Sequence, residues 1–111
     1  MNLHGTDLVA RACARGGATI VFLSTTSVYG TQSGVVDEDC PADQLVPQSP
    51  YASSKLRAEQ LLGELARDAL GAVVLRFGTI VGRSPGMRFH TAVNKFCWQA
   101  VMGRPLTVWT T

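Results

Sequence analysis

Thr19-Ile20-Val21-Phe22-Leu23-Ser24 is a short, unbroken run of β-branched and apolar residues. Such a run suits a strand covered on both faces, as in a parallel sheet. Residues 72–77, Ala72-Val-Val-Leu-Arg-Phe77, read the same way. Between them lies a clear helix start: Ser49 at the N-cap position and Pro50 at the first helical position, where its missing N–H costs nothing. From residue 51 to 70 the apolar positions Ala58, Leu61, Leu62, Leu65 and Ala69 trace one face, and Gly71 is expected to close the helix. Upstream, residues 2–15 predict a helix with Leu3, Leu8, Val9, Ala12 and Cys13 on one broad face and Gly16-Gly17 as its stop. Downstream, residues 78–85 read as loop, 91–102 as a third helix, and Leu106-Thr-Val-Trp109 as the start of a strand. The order α-β-α-β-α-β predicts an α/β protein with a parallel sheet and flanking helices.

At 111 residues the chain has room for one domain and not for two. Apolar residues make up 46% and charged residues 16%, which places it among globular rather than disordered sequences. The net charge of +2 is scattered, with no basic footprint for nucleic acid or an anionic membrane. The longest apolar runs are far below a membrane span, and no basic segment followed by an apolar one opens the chain, so no secretory leader is expected. Cys13, Cys40 and Cys97 form neither a disulfide framework nor a metal-ligand spacing, so no metal is expected and the thiols fit a reducing cytoplasm.

Tyr51 and Lys55 form Tyr-x-x-x-Lys at the helix start. That spacing is just over one turn and stacks the two side chains on one side of the helix. An ammonium that close favours the phenolate form of the tyrosine. The phenol can then take or return a proton at a carbon-bound hydroxyl while a hydride leaves for a nicotinamide. Ser24-Thr25-Thr26 supplies hydroxyls just past the first strand, where open α/β sheets bind their ligands. The alternative is a tyrosine packed at a helix start and a Lys55–Glu59 pair on a wet face. A polar stretch of about 26 residues separates strand from helix, and loops that long are usually functional.

Three further stretches carry a resemblance. Val21-Phe-Leu-Ser-Thr-Thr-Ser-Val-Tyr-Gly30, Pro47-Gln-Ser-Pro-Tyr-Ala-Ser-Ser-Lys55 and Val74-Leu-Arg-Phe-Gly78 resemble successive motifs of the NAD-dependent epimerase/dehydratase family, the extended short-chain dehydrogenase/reductases. Asn2-Leu-His-Gly-Thr6 resembles the helix the family places before its active-site strand. The resemblance implies a partial Rossmann-like sheet and chemistry on a nucleotide sugar with NAD or NADP. Tyr51 would be the base, Lys55 would hold the nicotinamide ribose, and Thr25, four before Tyr29, would hydrogen-bond the reacting oxygen. Asn2, Ser24, Phe77 and Gly78 would join Tyr51 and Lys55 around the cofactor, and Thr26, Thr79, Arg88 and Asn94 would face the substrate. Arg83 and Lys95 are further candidates for a diphosphate, with solvated surface charge as the other reading.

Departures from the family pattern narrow the expectation. Thr26 and Ser27 stand where sugar 4,6-dehydratases commonly carry acidic residues, which favours epimerisation or simple oxidoreduction over dehydration. Thr79 replaces the family's asparagine after the second strand. No Gly-x-x-Gly-x-x-Gly turn occurs, so the chain reads as the catalytic half of a Rossmann-type domain over 1–111 with a substrate-binding region starting at about 86–111. Weak cofactor binding in isolation is the corresponding expectation. Family members often dimerise through two helices per subunit, which the helices at 2–15 and 51–70 match. A truncated, non-catalytic dimerisation or interaction module is therefore the competing expectation.

Overall fold

The computed structural model describes residues 2–32, 34–68 and 70–108. Contacts divide the chain into two compact units, Met1–Gly78 and Thr79–Thr111. The first unit contains α1 (Asn2–Gly16), β1 (Thr19–Thr25), a 3-10 turn (Thr26–Val28), a second 3-10 turn (Ala42–Gln44), α2 (Pro50–Ala66) and β2 (Gly71–Phe77). The strands pair in parallel from Thr19↔Gly71 to Thr25↔Phe77. A parallel pair needs a long crossover, and the loop with α2 provides it.

Helix ends explain where sequence and structure part. Gly17 has φ +66°, a left-handed conformation that lets the Ala18 N–H return to Cys13 O at 2.9 Å and ends α1. α2 stops at Ala66, four residues before the predicted end at 70. Past its end the Leu70 N–H donates back to Leu65 O at 3.3 Å. Leu70 is a core residue, and Gly71 opens β2 instead of closing the helix. Ala69, predicted on the apolar face, lies outside the described residues.

Ala10, Leu62 and Leu70 form the core, with Cys13, Ala14, Ile20, Phe22, Leu65 and Ala72 packed around them. α1 and α2 pack on each other and against β1, on the face that carries Ile20 and Phe22. Period-2 alternation sends Val21 and Leu23 the other way, and each is 56% exposed. The expectation of strands covered on both faces is thus corrected. Both helices lie on one side of a two-stranded sheet, so every second side chain is covered from Thr19 to Leu23, and only the end of β1, at Ser24 and Thr25, is buried on both sides.

The second unit holds α3 (Ala92–Val101), where residues 91–102 were predicted helical. Leu106–Val108 lie outside any strand, and Trp109 lies outside the described residues. An apolar run becomes a strand only where a neighbour completes its backbone ladder, and the one sheet among the described residues consists of β1 and β2. Among the described residues no helix is long and apolar enough to cross a membrane, and no cluster of His, Cys, Asp and Glu is arranged to hold a metal ion.

Candidate active site

The start of α2 is built by its cap. Ser49 Oγ accepts the Ala52 N–H at 3.1 Å, and Pro50 follows at the first turn. Tyr51 therefore sits in the opening turn, 54% exposed as a residue. One turn on, Lys55 Nζ donates to Leu23 O at 2.6 Å. The same ammonium stands 4.7 Å above the Phe22 ring and 5.9 Å from the Tyr51 ring centre. α2 packs on the 3-10 turn after β1, with Ala52 and Val28 fully buried. The Tyr-x-x-x-Lys pair is thereby brought beside the C-terminal end of β1.

The three hydroxyls there have different surroundings. Ser24, buried, donates its hydroxyl to Glu59 Oε1 inside the fold. Thr25 Oγ1 accepts the Ser27 N–H at 3.2 Å and donates to Ser27 Oγ at 3.1 Å, capping the 3-10 turn. Thr26 is exposed, and its hydroxyl lies 3.5 Å from Phe77 O at the end of β2. A Cβ on Gly78 would stand 3.9 Å from Thr26 Oγ1, an ordinary contact, so space alone does not demand glycine there.

Sequence reasoning missed the group behind these hydroxyls. Arg76 of β2 reaches Glu59 of α2 through Nε (3.1 Å) and Nη2 (2.7 Å) to Oε2, with Nε also 3.3 Å from Oε1. The Glu59 side chain is only 8% exposed. Hydrogen bonding to Glu59 raises the Arg76 pKa above its ordinary value, with burial opposing and the Tyr29 hydroxyl assisting. Arg76 Nη1 donates to the Tyr29 hydroxyl at 3.0 Å, and that hydroxyl donates to Asp37 O at 2.9 Å. The Lys55–Glu59 pair considered from sequence does not form, because Glu59 faces inward to Arg76 and Lys55 turns to a carbonyl. A signal was present: a lone arginine in an apolar strand requires an anion, and Glu59 continues the Tyr51, Lys55 row at helical spacing.

The remaining candidates fall in both units. The Asn2 side chain lies outside the described residues; Phe77 closes β2 and Gly78 follows it, both exposed. In the second unit Thr79 and Arg88 are exposed. Asn94 is buried and latches its own loop, accepting the Gly82 N–H at 3.3 Å and donating to Arg88 O at 3.1 Å.

A cavity of about 770 Å³ opens beside β2, lined by Thr26, Tyr29, Asp37, Glu38, Glu59 and Arg76 among others. A smaller one of about 330 Å³ lies among Ser27, Gly30, Thr31, Gln48 and Ser49, next to the start of α2. Neither is lined by Tyr51 or Lys55.

The chain is 38% identical to a UDP-glucose 4-epimerase from Azospirillum brasilense, over 90% of this chain and 31% of that protein. It is 35% identical to an uncharacterised UDP-glucose epimerase from Bacillus subtilis (strain 168), over 96% of this chain and 33% of the relative. Among solved structures, UDP-glucuronic acid 4-epimerase from Bacillus cereus in complex with NAD superposes with a TM-score of 0.80 at 32% identity, covering 96% of this chain and 34% of that one. MoeE5 in complex with UDP-glucose and NAD gives 0.79 at 34% identity, with 99% and 36% covered. The chain thus spans about a third of the length of the relatives it matches. The NAD dependent epimerase/dehydratase family model matches residues 1–111, and the chain belongs to that family.

Proposed function

We propose that this chain carries the proton-transfer machinery of an NAD-dependent nucleotide-sugar epimerase or oxidoreductase. The observation that carries the reading is the Lys55 ammonium, anchored to Leu23 O at the end of β1 and facing the exposed Tyr51 ring. Its relatives include proteins named for UDP-sugars, one of them solved with NAD, and MoeE5, solved with UDP-glucose and NAD.

The side chains fit the reactive end of NAD. Tyr51 and Lys55 offer a hydroxyl and an ammonium one turn apart, suited to ribose hydroxyls, beside Phe77 and Gly78 at the neighbouring strand end. They do not fit its pyrophosphate: at the start of α2 the Ser49 side chain already takes the Ala52 N–H, and Pro50 has none to give. Binding of NAD by this chain alone is therefore weak in this reading. NAD, when bound, supplies the acceptor and donor for hydride.

The chain's own residues move the proton. Tyr51 Oη, at the exposed start of α2 and one turn from Lys55, takes the proton of a sugar hydroxyl. Thr25 Oγ1 turns its donor from Ser27 Oγ to the substrate oxygen and holds it in line. Thr26 is exposed at the same strand end as a substrate contact, and Thr79 and Arg88 are exposed candidates in the second unit. With Thr26 and Ser27 after Thr25, no acidic side chain stands there to promote dehydration.

A second reading is favoured by a specific surface. α1 and α2 share a groove lined by Leu3 and Leu61 with Arg57 and Glu64 and with Asp7 and Arg11, which pair with each other at 2.8 Å. Such a self-complementary face suits a homodimer through α1 and α2, as an enzyme subunit or as an interaction module. One experiment separates the readings: NAD titration by calorimetry with size-exclusion chromatography, followed by UDP-glucose turnover in the presence of NAD. In a protein of the full length of the relatives, Tyr51→Phe is expected to keep the fold and lower turnover by at least about 10²-fold. Undiminished turnover overturns the base assignment, and a dimer with no NAD binding favours the module.

A further inference from the structure

Three elements meet at a single carboxylate. Ser24 of β1 and Arg76 of β2 are register partners on one rung of the sheet, and both donate to Glu59 of α2. The preceding rung, Leu23↔Leu75, supplies the carbonyl that holds Lys55, and the following rung, Thr25↔Phe77, carries the proposed oxygen-binding hydroxyl. On the helix, Tyr51, Lys55 and Glu59 recur every four residues, so they share one stripe. The rung that grips the helix and the rungs that serve the chemistry are thus consecutive.

A gain in stability does not explain an ionic group here. Removing two charges from water costs roughly what their attraction returns, and well-packed apolar pairs often do as well. What the pair supplies is direction, because a guanidinium fork meets a carboxylate in a narrow range of orientations. Tyr29 extends the grip: its hydroxyl takes Arg76 Nη1, and its ring lies 4.9 Å from the guanidinium carbon.

We propose that Glu59 and Arg76 are positioning residues, an ionic strut that sets the rotation and depth of α2 so that Lys55 reaches Leu23 O beside Tyr51. The assignment rests on the proton-transfer reading for its purpose, but its geometry is testable without turnover. Lys55 lies over the Phe22 ring, so ring currents should shift its side-chain methylene resonances upfield in the full chain. The paired variant Glu59→Leu/Arg76→Met replaces the strut by apolar volume and leaves no lone buried charge. It is expected to stay folded and to lose most of that upfield shift. Glu59→Gln, which keeps the volume and a hydrogen-bonding carbonyl, is expected to lose part of it, and it decides the question if the paired variant does not fold. A folded variant with the Lys55 resonances unmoved overturns the strut, leaving the pair a purely structural role. Failure of the chemistry appears elsewhere: Tyr51→Phe with full turnover removes the purpose, while the resonances still report whether the strut exists.

Discussion

At the scale of single residues, the site depends on where each polar atom finds its partner. The Lys55 ammonium has a carbonyl and an aromatic face from β1 and a phenol ring from the preceding helical turn around it. Gly30 shows the opposite constraint. Its φ is +69°, and a Cβ there would fall 2.0 Å from Val46 O, a backbone atom. Gly30→Ala is therefore expected to destabilise the chain by about 2 kcal/mol or more, read as a lowered urea midpoint. An unchanged midpoint would show that the loop after Tyr29 does not need its close approach to Val46.

Elements are positioned by their ends. α2 opens on the Ser49 cap, and Tyr51 follows within the first turn, so the cap governs whether the phenol is held in a helix or on a frayed end. Ser49→Ala removes the acceptor of the Ala52 N–H and is expected to cost about 1 kcal/mol. Amide exchange at Ala52 should quicken with it, while the far end of α2, capped through Leu65 and Leu70, keeps its protection. Uniform acceleration along the helix would count against a local role for the cap. The element scale also carries the strut, since Glu59 is the point at which α2 is tied to both strands.

At the scale of the molecule, the first unit is thinly cored. Leu62 and Val28 are its largest fully buried side chains, and the outward sides of β1 and β2 remain exposed. Small cores leave little margin. Leu62→Ala is expected to cost about 2–4 kcal/mol, enough to leave a large share of the chain unfolded at room temperature, as circular dichroism would register. By contrast Val21→Thr, on the open face, should change stability by no more than about 0.5 kcal/mol. Equal losses at the two positions would mean that the open face is covered in solution.

Much of this was legible in the residues alone, because it is local. Ser49-Pro50 marks a helix start, unbroken β-branched runs mark the strands, and Tyr51 and Lys55 share a helix side at their spacing whatever surrounds them. The end of α2 at Ala66, the inward turn of Glu59, the loss of Ser24 to that carboxylate and the bare outer face of β1 were decided only in three dimensions. Each depends on which groups from distant parts of the chain arrive at the same place. Burial makes an ion choose its partner, and a strand's covering is a property of its neighbours rather than of its own side chains.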